Sequence, residues 1–266
     1  MSDGLAPMYR MPVAFGPAPG PRNLPERHRH LRYRKTGRTL SLSARTDAGL
    51  LSPMLPEGCG LDGEPRIEVA ISEFRDIGWL AGRGYNILLV SIPVRWRGEE
   101  NIAGAFVPVV WENMADPILT GRDELGWCKI FADISDIATA GEERRATASW
   151  DGFAFFALAA CGFAPTAERT APRPMIFRKY IPRTGSWGEA EVDCLTITAP
   201  DGPPPEIRSV MRGKGSFAFR AARWEDMPTQ YPIVSALAAL PLDEFGPAVL
   251  TETAGGGDGS GQRPLR

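Results

Sequence analysis

Among the thirty Lys and Arg side chains of this sequence only four are lysines, Lys35, Lys129, Lys179 and Lys214. Lys129 stands between Trp127 and Cys128 on one side and Ile130 and Phe131 on the other. In a chain that uses arginine as its default cation, a lysine among apolar neighbours has a chemical meaning, because guanidinium stays protonated and an amine need not. A lysine kept out of water loses its proton more readily, and the neutral amine attacks carbonyl carbon to form a Schiff base. The same residues also fit a plain strand lysine pointing into solvent, since lysine is seldom fully buried without a partner.

Other catalytic chemistries find little material. Cys59, Cys128, Cys161 and Cys194 are widely spaced with no Cys-x-x-Cys pair, and the two histidines, His28 and His30, sit together in a basic run. Neither a zinc site nor a histidine-based triad can be assembled from these, so no metal is expected. No glycine-rich phosphate loop follows a strand, so no nucleotide cofactor, and no cofactor of any kind, is expected. A net charge of −2 argues against nucleic acid or an anionic membrane as partner. Met1 to Pro21 lacks the apolar core of a secretory signal. The longest apolar run, Gly152 to Ala164, stops at Pro165 and is too short to cross a bilayer. A cytoplasmic location with reduced thiols is the expectation.

The elements that must position Lys129 read as strands. Residues 1–38 form a Pro/Gly-rich and then basic arm; within it Arg27 to Arg38 is either an anion-binding patch or, as preferred here, a solvated or oligomer-facing strand. The domain is expected over 39–252. Arg66 to Ser72 alternates, putting Ile67, Val69 and Ile71 on one face and Glu68 and Ala70 on the other. Tyr85 to Trp96 is the strongest strand, and Ala105 to Trp111 returns beside it as a hairpin, with Pro108 marking an edge or a bulge. Thr120 is expected to cap a short turn, Gly121 to Leu125, with Asp123 at the reciprocal position, and Gly126 to end it. Pro232 to Leu240 reads as a short buried helix. Residues 253–266 hold too little apolar surface to order themselves and read as a disordered tail. Many short strands with few helices predict a mainly β fold of antiparallel curved sheets or a barrel.

Four stretches carry a resemblance. Gly121-Arg-Asp-Glu-Leu-Gly-Trp-Cys-Lys resembles the Gly-Arg-Glu…(aromatic)-Pro-Lys segment of the acetoacetate decarboxylase-like family. Ala44-Arg-Thr-Asp with Leu55-Pro-Glu, Arg66-Ile-Glu-Val, and the helix and strand within Ile233 to Leu250 resemble further segments of that family in the same order. The resemblance implies a Schiff-base lyase in which Lys129 attacks the carbonyl of a β-keto acid and the iminium accepts the electrons released with carbon dioxide; acetoacetate decarboxylase is itself the standard case of such an activated lysine. It implies Glu68 as a pocket carboxylate and Arg38 as a binder of substrate carboxylate. Trp127, Tyr85 and Phe131 would keep the pocket dry, with Glu124 and Cys128 beside them in the substrate region. A small-molecule keto acid is then the partner, and a homo-oligomer the expected assembly.

Three departures follow. The second lysine after the reactive one is replaced by Ile130, so burial alone would have to depress the Lys129 pKa. Cys128 replaces the usual Pro. Where the family has a second carboxylate stands Arg83, which would suit an additional substrate carboxylate or be a surface residue. Aldol or dehydration chemistry on a 2-keto acid with the same lysine, or a β-barrel that binds small molecules without catalysis, are the alternatives.

Overall fold

The computed structural model describes residues 7–168, 173–198 and 202–266, so the first six residues of the expected arm lie outside the described residues. One mixed sheet dominates. Its centre is the hairpin of Arg83–Arg97 and Asn101–Glu112, longer at both ends than the sequence pattern marks. Arg66–Ile77 and then Thr36–Arg45 flank the first of these strands, all antiparallel. On its other side Asn101–Glu112 runs parallel to both Met175–Arg183 and the short strand Lys129–Phe131. The sheet curves but does not close: its path runs from Gln262–Pro264 at one end to Asp133–Ile134 at the other. The mainly β reading therefore holds, with an open mixed sheet in place of a barrel.

Alternation along the central strands separates two faces. Ile67, Val69, Ile71, Leu88, Val90 and Ile92 enter the main core, where Trp111 packs on Phe155 with ring centroids 5.1 Å apart. The opposite face carries Ala70, Ser72, Phe74, Tyr85, Ile87 and Leu89, which line a cavity. Pro108 lies in a central strand, and the register jumps from Val90↔Val109 to Ile92↔Phe106 around it. It therefore marks a bulge, where the missing N–H removes no ladder bond.

Local capping turned out differently around the cavity. The helix begins earlier, at Ala115–Thr120, and runs on through a widened turn, Gly121–Leu125. Thr120 sits inside this run and its hydroxyl donates back to Asp116 O and Pro117 O, so it is no cap. Gly126 does end it, at φ 77°. The later helix spans Tyr231–Ala238. The basic run is not a strand: Glu26–Leu31 forms a tight 3-10 turn, and the strand starts at Thr36. Residues 255–265 are ordered along the protein rather than loose, ending in the strand Gln262–Pro264 paired to Thr196–Thr198. Among the described residues no helix is long and apolar enough to cross a membrane.

Candidate active site

Lys129 follows the Gly121–Leu125 turn and enters the sheet opposite Val110. Val110 N–H donates to Cys128 O at 3.2 Å and the Arg122 guanidinium to Lys129 O at 2.9 Å, which fixes the backbone on both sides of the amine. Only 5% of the residue is accessible. Its Nζ lies 2.7 Å from Glu112 Oε1, 3.1 Å from Pro117 O, and 4.8 Å from the centroid of the Trp127 ring. Trp127 is held by a stacked contact with Phe177, centroids 4.6 Å apart and planes 12° from parallel.

Glu112 ends the strand Asn101–Glu112 and is wholly inaccessible. Apart from the ion pair with Lys129, neither of its oxygens has a hydrogen-bond partner among the described residues. A carboxylate this dry is poorly stabilised as an anion. Burial accordingly raises the Glu112 pKa, with the Lys129 charge opposing it. Burial lowers the Lys129 pKa, Glu112 pulls it back up, and the Arg22 charge lowers it further. Both directions favour the neutral amine beside the neutral acid, so the pair behaves as one site sharing a proton. Burial, which the sequence reading had act alone, is thus the largest cause, and the Arg22 charge adds to it in the same direction.

Arg22 comes from the N-terminal segment. Its Nε donates to Glu124 Oε2 at 3.1 Å, and its two terminal nitrogens reach Glu124 and the carbonyl of Asp258. Glu124 also takes Arg10 Nη1 at 3.1 Å. It therefore anchors the segment that brings Arg22 to the cavity rather than lining the cavity itself. Across the opening Asp258 pairs with Arg32 at 2.6 Å, and Gln262 donates to Leu125 O at 3.0 Å and accepts from Thr198 Oγ1 at 2.7 Å. The cavity of about 380 Å³ is bordered by these two segments, with Pro21 and Arg22 from one and Gly257, Asp258 and Gly259 from the other.

Of the residues singled out from sequence, Lys129, Tyr85 and Trp127 line this cavity. Burial, then the Glu112 charge, pushes the Tyr85 hydroxyl well above its ordinary pKa, so it stays protonated. The others fall elsewhere. Glu68 shares its strand face with Ala70 and Ser72 but lies beyond the cavity, in a second hollow, where it pairs with Arg173 at 3.5 Å. Arg38 donates to Ile137 O at 3.1 Å and does not reach the cavity. Arg83, the first residue of its strand, is exposed, and among the described residues its guanidinium bonds only to Leu80 O. Cys128 does not line the cavity, and its thiol donates to Val107 O at 3.0 Å. Burial pushes that thiol up to about 12, which makes it filler rather than a reactant. Phe131 is exposed and shields nothing. Glu112 and Arg22 were missed. A carboxylate directly after the apolar run Ala105 to Trp111 was the available signal for the first; nothing local marked the second.

The chain is thus a mainly β protein with a single curved mixed sheet and a buried amine–carboxylate pair on a cavity. The chain belongs to the acetoacetate decarboxylase (ADC) family, whose model matches residues 10–245. No curated protein matches it. Among solved structures, one described as acetoacetate decarboxylase superposes with a TM-score of 0.70 at 14% identity, over 87% of this chain and 89% of that one. The acetoacetate decarboxylase of Legionella pneumophila gives 0.65 at 16% identity, over 88% and 87%. The enduracididine biosynthesis enzyme MppR complexed with pyruvate gives 0.65 at 18% identity, over 88% and 90%. At these identities the likeness is one of fold.

Proposed function

We propose that this protein is a lyase that decarboxylates a β-keto acid through an iminium on Lys129. The observation that carries the reading is the 2.7 Å approach of Lys129 Nζ to the otherwise unpartnered Glu112 carboxyl, with both side chains buried. The amine nitrogen attacks the keto carbon and the carbonyl oxygen takes up a proton. Glu112, holding the shared proton, donates it to the departing hydroxyl, which leaves as water and generates the iminium. The bond to the carboxylate carbon then breaks, carbon dioxide leaves, and its electron pair moves to nitrogen to give an enamine. Protonation at carbon and attack of water on the resulting iminium release the ketone and restore the amine. Trp127, Tyr85 and Phe74 would exclude water from these steps until the last.

A second reading keeps the iminium and directs it to aldol-type condensation or dehydration of a 2-keto acid. The observation in its favour is the similar fold of MppR, solved with the condensation product of pyruvate and imidazole 4-carboxaldehyde. Borohydride trapping with peptide mapping tests the common step: a keto acid should add its mass to Lys129, and Lys129→Arg should abolish the adduct because guanidinium forms no imine. A trapped adduct in that variant would move the imine to another amine and overturn Lys129, whereas none in the wild type with either acid class would leave only a non-catalytic binding role. Carbon dioxide release from acetoacetate against condensation of pyruvate with an aldehyde then separates the two readings.

A further inference from the structure

Five cationic residues line the cavity, Arg22, Arg32, Arg34, Lys35 and Lys129, against the single carboxylate of Asp258. Most have work already. Lys129 meets Glu112, Arg22 meets Glu124, Arg32 meets Asp258, and Lys35 Nζ donates to Gly257 O at 2.7 Å. Arg34 differs: it is exposed yet lines the cavity, which puts it at the mouth, and its side chain makes no ion pair or hydrogen bond among the described residues. Its backbone, in contrast, is fixed. Arg34 N–H donates to Leu31 O at 3.0 Å, and Arg34 O accepts from Gly78 N–H at 2.9 Å. This approach is possible only because residue 78 is glycine, since a Cβ there would lie 2.1 Å from Leu31 O. The guanidinium is therefore delivered to the mouth by a pinned turn. Much of the remaining wall is apolar, with Phe74, Trp79, Ile87 and Leu89.

We propose that the cavity selects keto acids bearing a second carboxylate, separated from the keto carbon by a short apolar chain, and that Arg34 is the residue that recognises it. This rests on the reading of Lys129 as the imine-forming amine. An amine at the base, an apolar stretch and a planar two-pronged donor at the mouth match the order of groups in such a diacid, and guanidinium pairs with carboxylate through two parallel hydrogen bonds. The volume agrees: about 380 Å³ is room for about a dozen waters at ~30 Å³ each, more than a four-carbon keto acid occupies. The excess of lining cations also draws anions toward the opening.

A matched pair of probes tests this, 3-oxohexanoate and 3-oxohexanedioate, which differ only in the terminal carboxylate. In the full-length wild type the diacid should give the borohydride-trapped Lys129 adduct at a concentration about tenfold or more lower than the monoacid, the range for a charge-assisted hydrogen bond. Arg34→Gln should bring that ratio close to one, and Arg34→Lys should retain part of it. In Lys129→Met, which forms no imine, hexanedioate should still raise the melting temperature more than hexanoate does, and adding Arg34→Gln should remove the difference. Equal half-saturation by the two acids in the wild type, or an unchanged ratio in Arg34→Gln, overturns the assignment of Arg34. A diacid-specific, Arg34-dependent melting shift with no trapped adduct supports Arg34 and overturns the imine reading instead.

Discussion

A Cβ built on Gly121 would lie 2.4 Å from Lys129 Cδ and 2.8 Å from its Nζ. At φ −66° the backbone of residue 121 suits any amino acid, so this glycine is required for space and not for conformation. The turn and the amine share one volume, and the missing side chain lets the lysine lie back against the turn beside Glu112. Gly121→Ala should therefore displace the amine while leaving the fold in place, since alanine is favoured over glycine in a helical turn by up to about 1 kcal/mol. An ångström of misplacement can cost about 100-fold in rate. Trapping of a keto acid on Lys129 should fall by that order with the melting temperature within a few degrees of wild type; trapping at the wild-type rate would show that the glycine is incidental.

The shared proton sets a pH dependence. Imine formation needs neutral amine, so its rate should rise with pH around a midpoint below the ~10.4 of an ordinary lysine. Glu112 raises the Lys129 pKa, so Glu112→Gln should move the midpoint down while slowing turnover about 10²- to 10⁴-fold for want of the proton donor. An upward move would contradict the pairing. Stability follows with its own sign: the folded state resists protonating the buried amine, so the unfolded chain binds more protons between the folded and unfolded pKa values. Stability gained from this group rises with pH across that window and is lost below it, and chemical denaturation of Glu112→Gln should show the loss extending to lower pH.

Asp258 holds the C-terminal cover against Arg32, and its carbonyl meets Arg22. Asp258→Ala should loosen residues 257–262, seen as faster amide hydrogen exchange there. Water entering the cavity would weaken the desolvation that depresses the Lys129 pKa, so the midpoint for imine formation should shift upward. Exchange and midpoint both unchanged would mean that the cover is held by its other contacts, those of Gln262, of Lys35 with Gly257 O and of Arg22 with the carbonyl of residue 258.

Glu68 lies outside the cavity and half-exposed beside Arg173. Glu68→Gln should accordingly leave Lys129 adduct formation within about twofold of wild type, the size of an ordinary surface change. A hundredfold loss in single-turnover trapping would return Glu68 to the chemistry.

The thiols rank by environment. Cys161 is exposed, whereas Cys128 is half-buried, donates its thiol to Val107 O and has its pKa pushed up by desolvation to about 12. Titration of the native protein with a disulfide reagent near pH 8 should modify Cys161 first and Cys128 only on unfolding. Rapid labelling of Cys128, read by peptide mass, would show that water reaches the segment beside the amine.

Local pattern carried the strands far. Alternation in Arg66 to Ser72 assigned Ile67, Val69 and Ile71 to the core, and the apolar setting of Lys129 marked the amine, because which face a side chain takes depends on its immediate neighbours. What the amine meets was not written locally. Glu112 joins it through parallel pairing of two strands, and Arg22 reaches Glu124 across 102 positions in the chain. The same limit explains Glu68, whose face was read correctly but whose distance along the strand from the cavity was not. Composition also misjudged residues 253–266, since a glycine-rich segment without apolar surface can still be ordered by ion pairs and backbone hydrogen bonds to elements far away in sequence. Residue types alone singled out one lysine among apolar neighbours and fitted an outward strand lysine equally; only the tertiary structure buried it beside Glu112, brought the Arg22 charge toward it and set two distant segments along its cavity, because those are contacts between segments that the order of the chain does not bring together.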